Sequence, residues 1–81
     1  MNQISDVKWS VGLACGVIEG YQQVEGDIQE TTVEAWAFLI ESGACWKLQG
    51  FYGRGASQWI ESEIINRHGL IDWVQFSLSL E

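Results

Sequence analysis

The sequence contains no proline, a single histidine, two cysteines and only four basic residues, and each shortage removes a class of function. Without proline there is no stiff proline-rich linker. A hydrophobic content of 47% against 19% charged residues is that of a folded globule, not of a disordered polyelectrolyte. The lone His68 and two cysteines thirty positions apart do not make a zinc pattern, and Glu25 to Thr31 lacks the alternating oxygen ligands of a calcium loop. Nucleophilic catalysis would have to run through His68, and nothing in the sequence brings it near Cys15 or Cys45. The expectation is a binding protein and not an enzyme, with no catalytic residue, metal or cofactor.

Long apolar runs are also missing. None approaches a membrane span, and Met1 to Ser10 offers neither the basic start nor the apolar core of a signal peptide. The expected setting is the cytoplasm, away from membranes, with Cys15 and Cys45 as reduced, buried thiols. At 81 residues the chain has room for one small domain, 1–81.

The scarcity of basic residues is uneven. Net charge is −7, and between Trp9 and Trp46 there is no Lys or Arg but six acids: Glu19, Glu25, Asp27, Glu30, Glu34 and Glu41. Direct binding of DNA or RNA is therefore not expected. A one-sided field of this kind attracts basic surfaces and speeds encounter with them. The bland alternative is that the acids keep a chain with five tryptophans soluble.

Hydrophobic spacing predicts a mainly α domain of three to four short helices. Val7, Val11, Ala14, Ile18 and Tyr21 recur at helical spacing over roughly 6–23, with Asp6 as a cap. Gly12, Gly16 and Gly20 fall four apart on that helix and form a stripe suited to close backbone packing, within the chain or across a dimer. Glu25-Gly26-Asp27 reads as a turn. Thr31 or Thr32 then caps a helix in which Val33, Trp36, Ala37 and Ile40 face inward, Glu34 completes a capping box with Thr31, and Gly43 stops the helix. A short turn covers 44–49. Ala56, Trp59, Ile60 and Ile64 mark a last helix ending near His68 and Gly69, with Arg67 in its final turn. From Val74 the period changes to two. Val74, Phe76, Leu78 and Leu80 alternate with polar residues, which predicts a half-buried strand over 74–80.

Between the short turn and the last helix, Gly50, Gly53 and Gly55 bracket Arg54 and predict a sharply turning loop. The spacing matches neither a Walker loop nor a dinucleotide fingerprint. The expectation is structural: Arg54 pairs with a carboxylate of the preceding helix, and an anion site at Gly53-Arg54-Gly55 ranks well below that.

The run from Glu34-Ala35-Trp36 through Leu39-Ile40-Glu41-Ser42-Gly43 to Trp46-Lys47-Leu48-Gln49-Gly50-Phe51-Tyr52-Gly53-Arg54-Gly55-Ala56 resembles a group of small uncharacterised proteins of tailed phages. Their shared motif is Trp-x-Leu-Gln-Gly-x-Tyr-Gly-Arg-x-Ala. The likeness covers roughly 34–65 and implies a phage or prophage accessory protein acting inside a bacterial cell; it implies no activity. By analogy with small acidic anti-defence proteins, the leading expectation is an anti-CRISPR type inhibitor that occupies the basic nucleic-acid-binding surface of a host defence complex. Glu19, Glu25, Asp27, Glu30, Glu34 and Glu41 would meet Lys and Arg there. Exposed Trp46, Phe51 and Tyr52 would anchor the interface, with Trp9 and Trp73 in reserve. The alternative is a small homodimeric structural or regulatory phage protein without a defence target, joined through the glycine stripe or the terminal strand.

Overall fold

A fifteen-residue run without glycine or proline between Asp27 and Gly43 sets the architecture. In the computed structural model, which describes residues 2–80, it forms the central helix, Ile28–Ser42. Met1 and Glu81, the ends of the expected domain, lie outside the described residues. We label the helices α1 (Val11–Glu19), α2 (Ile28–Ser42), α3 (Gly50–Glu61) and α4 (Trp73–Ser79), with a single 3-10 turn at Ala44–Trp46. The domain is thus a small helical one, as the spacing predicts.

More than half of α2 is buried, including Val33, Trp36, Ala37, Leu39 and Ile40. That breadth means α2 is covered on several sides. Its cap differs from expectation: the Asp27 side chain accepts from the N–H groups of Gln29 and Glu30, at 2.9 and 3.1 Å. An acid at the cap also suits the positive end of the helix dipole. Thr31 instead turns its hydroxyl back to the Asp27 carbonyl, so no capping box forms. Gly43 ends the helix in the left-handed conformation, φ 79°, as the sequence indicates.

α1 is shorter than its periodicity suggests. Ser10, not Asp6, caps it by accepting from Leu13 N–H, and Gly20 closes it at φ 86°. Residues 2–9 run outside any helix, so Val7 belongs to an extended arm, while Val11 and Tyr21 are exposed. Within the chain the glycine stripe makes no helix-packing seam. Gly20 is the cap, Gly16 lies under the Gln22 side chain, and nothing approaches within 4 Å of where a Cβ on Gly12 would stand.

The glycine cluster at 50–55 is helical, not a loop. α3 begins at Gly50 and carries Gly53, Arg54 and Gly55 within its first half. Gly55 has a steric reason for being there, since a Cβ on it would stand 2.3 Å from the Trp36 ring. The missing side chain lets α3 close onto α2. Arg54 is exposed, and its guanidinium folds back over Gly50. It makes no hydrogen bond to an α2 carboxylate among the described residues, which replaces the expected ion pair.

α3 ends at Glu61, earlier than its periodicity suggests, and Arg67 and His68 lie in the turn beyond it. There Ile65 and Ile71 form an isolated antiparallel bridge around a tight loop. The Asn66 side chain accepts from the N–H groups of His68 and Leu70. Gly69 at φ 83° passes so close to α2 that a Cβ would meet the Ala37 carbonyl at 2.7 Å.

The expected strand over 74–80 is a helix. Asp72 caps it by accepting from Gln75 N–H at 3.0 Å, and α4 follows immediately. An alternating apolar pattern also contains the four-residue spacing of a helix. Phe76 is buried and Leu80, four residues on, edges the same groove, while Val74 and Leu78 are exposed and line no part of it. With no neighbouring strand to pair with, the helix satisfies its backbone internally where a lone strand would not.

Two glycine substitutions should separate these roles. Gly55→Ala forces a methyl group into the Trp36 ring and should cost about 1–3 kcal/mol in urea denaturation. Gly12→Ala meets open space in a helix and should stabilise by about 0.5–1 kcal/mol.

Candidate partner-binding surface

The six acids of the cation-free segment divide by location. Glu19, Glu25, Asp27 and Glu41 are exposed, Glu30 is half-buried, and Glu34 is 2% exposed. Glu34 therefore does not belong to any docking surface. Its Oε2 accepts from the backbone N–H groups of Ile4 and Ser5, at 2.9 and 3.0 Å. Its Oε1 accepts from the Ser5 hydroxyl and from the Trp9 indole at 3.2 Å. Four donors converge on one carboxylate, which fills its lone pairs and offsets the cost of burying it. The N-terminal arm is thereby fastened across α2.

Tyr52, expected as an exposed anchor, is 6% exposed and donates its hydroxyl to Glu19, joining α3 to α1. Burial pushes the phenol pKa well up, and the Glu19 hydrogen bond and the nearby Cys15 thiol raise it further. Burial also raises the Cys45 thiol, against a smaller opposing effect of backbone hydrogen bonds. Neither cysteine is in a disulfide.

Trp46 and Phe51 do remain half-exposed, at 52% and 50%. Phe51 sits on a supported platform, lying 6.2 Å from the Trp36 ring and meeting Tyr52 edge-on at 5.1 Å. Trp36 and Tyr52 complete the cluster at 5.9 Å. Beside them Trp46, Gly50, Gly53, Arg54 and Glu61 line a shallow groove. The reserve anchors are engaged internally: the half-buried Trp9 indole bonds Glu34, and that of Trp73 donates to the Asn2 carbonyl at 2.8 Å.

Three features went unread in the sequence. One is the Glu34 fastening. The second is Asn2, whose amide donates to the Gly69 carbonyl at 2.8 Å and accepts from Ile71 N–H. The third is an apolar groove of about 330 Å³ between α2, α3 and α4, with Ile28, Trp59 and Phe76 among its walls. Its one sequence signal is Ile28, an apolar residue directly after a capping Asp.

Among the described residues, no three His, Cys, Asp or Glu side chains are grouped as a metal ion requires, and no helix is long and apolar enough to cross a membrane.

A family model described as a domain of unknown function, DUF7417, matches residues 12–79. The chain belongs to that family. No curated protein and no solved structure matches it. The DUF7417 match runs from within α1 to the end of α4. It therefore includes Glu34, Trp46, Phe51 and the groove, while Ile4, Ser5 and Trp9 stand before it.

Two outcomes are expected. Glu34→Gln replaces an acceptor with a donor facing other donors and should cost about 1–3 kcal/mol, with faster amide exchange at Ile4 and Ser5. Glu41→Lys, at an exposed position, should leave stability within about 0.5 kcal/mol. Tyr52 and Cys45 are both raised in the fold. Their contribution is thus fully present below the ordinary values of 10.0 and 9.0 and is lost as pH rises through the raised ones. Urea midpoints should fall on the alkaline side, less steeply in Tyr52→Phe than in the parent.

Proposed function

We propose that the chain is a non-catalytic binding protein that captures a basic nucleic-acid-binding partner. In the phage setting that its central motif implies, the partner is a host antiviral defence complex of the kind that anti-CRISPR proteins inhibit. The observation that carries this reading is the one-sided charge: from Trp9 to Trp46 the chain has no cation, and Glu19, Glu25, Asp27 and Glu41 are all exposed.

Carboxylates held on a helical frame can stand in for phosphates, occupying Lys and Arg side chains that would otherwise hold DNA or guide RNA. Glu30 adds to the set. Trp46 and Phe51 supply the desolvated contact that charge alone lacks, since binding energy concentrates in a few large aromatic anchors. The Phe51 ring is backed by Trp36 and Tyr52, so little of its side-chain freedom is lost on docking. Glu34 and Tyr52 support the surface from beneath. Of the two contacts on which the homodimeric alternative rests, the terminal strand is a helix.

The test is capture by the tagged protein from nuclease-treated bacterial lysate. A basic nucleoprotein effector should be retained at low salt, released at high salt and displaced by added DNA. The double variant Glu25→Lys/Glu41→Lys should weaken capture about tenfold or more while remaining folded. Capture that survives both the double variant and high salt would sink the electrostatic reading.

A further inference from the structure

The walls of the groove between α2, α3 and α4 contain no charged side chain. Ile28, Thr32, Trp59, Ile64, Phe76 and Leu80 form it, and Ile28 and Leu80 are exposed at its mouth. At about 330 Å³ it lies at the bottom of the range for small-molecule sites, with room for a few aliphatic side chains.

The charged residues next to its walls in the chain are acidic. Asp27 and Glu30 flank the Ile28–Gln29 edge and Glu63 precedes Ile64; Asp27 and Glu63 are exposed and Glu30 is half-buried. Neither α2 nor α4 contains a Lys or Arg. On α3 the single cation, Arg54, borders the separate groove beside Trp46. An uncharged floor within an acidic border is complementary to an apolar ridge with cations on either side. A second copy of this chain fits poorly, because it brings the same acidic border to the contact and adds −7 to −7.

We propose that this groove seats the apolar face of an amphipathic partner helix whose flanks are rich in Lys or Arg, by the helix-in-groove mode of recognition. The inference rests on the reading of a basic partner and names the segment of it that docks. One or two apolar side chains of that helix enter between Ile28 and Phe76, and its cations reach Asp27, Glu30 and Glu63.

The test uses the full chain, 15N-labelled, and two synthetic helical peptides of about fourteen residues that share a leucine face. One carries Lys on its flanks and the other Glu. The Lys-flanked peptide should shift the amides of 28–33, Ile64 and 76–80 together with the Trp59 indole N–H. It should bind at least about tenfold more tightly than the Glu-flanked one.

Ile28→Glu decides between docking and plain charge attraction. Ile28 is 75% exposed in the first turn of α2, where an acid is tolerated, so the variant folds. It makes the surface more negative yet should weaken the Lys-flanked peptide about tenfold or more. Val74→Glu, on the outward side of α4, should leave binding unchanged. Retained binding in Ile28→Glu, equal binding of the two peptides, or shifts scattered over the acidic surface would each overturn the proposal. So would self-association of the unliganded chain that Ile28→Glu disperses. These outcomes leave the charge-reversal test of lysate capture untouched, so the groove and the wider function can fail separately.

Discussion

The fold depends on a buried carboxylate that forms no ion pair among the described residues. Glu34 sits in the most buried stretch of α2 and is held there by hydrogen bonds, two from the backbone of the N-terminal arm and two from its side chains. Removing one side of such an arrangement leaves buried donors without acceptors, which costs more than the bonds contribute on balance. The arm therefore has one place to lie. By covering α2 it allows that helix to be apolar on its other sides, where α1, the 3-10 turn and α3 pack. A residue that by charge belongs with the docking surface is what organises the frame behind it.

A second constraint acts through space, not charge. Trp36 is large enough to fill the gap between α2 and α3 only because Gly55 has no side chain. The closure brings Tyr52 under cover, where it reaches Glu19, and leaves Phe51 and Trp46 at the rim. The glycines of the central motif are thus partly explained as a packing device, and the exposed aromatics as its outer edge. The candidate surface and the frame share the same few residues.

Much of this was legible from spacing. The inward positions of α2, the Gly43 stop and the helical class follow from apolar residues recurring at three and four. The helix ends were less legible because competing side chains can cap. Asp27 outcompeted Thr31, and Ser10 outcompeted Asp6, on geometry that only the fold supplies. The terminal segment was misread because alternate residues satisfy both periods; the deciding facts were the Asp72 cap and the lack of a strand to pair with. In the candidate surface, Trp46, Phe51 and the exposed acids stand where charge and aromatic content put them. Glu34 and Tyr52 do not, since a side chain that bonds residues far away in the chain leaves no mark on its own neighbourhood. The groove was invisible for the same reason: its walls come from three separated helices.

Asn2 contacts Gly69, Ile71 and Trp73, nearly the full length of the chain away. Those bonds join residues 67 to 71 positions apart, and closing so long a loop costs entropy before any contact rewards it. During synthesis Asn2 is therefore made well before its partners at 69–73 and finds them late. α1, α2 and the 3-10 turn can assemble on the ribosome through near-neighbour contacts. The arm must wait until Trp73 has cleared the exit tunnel before its far end can be secured.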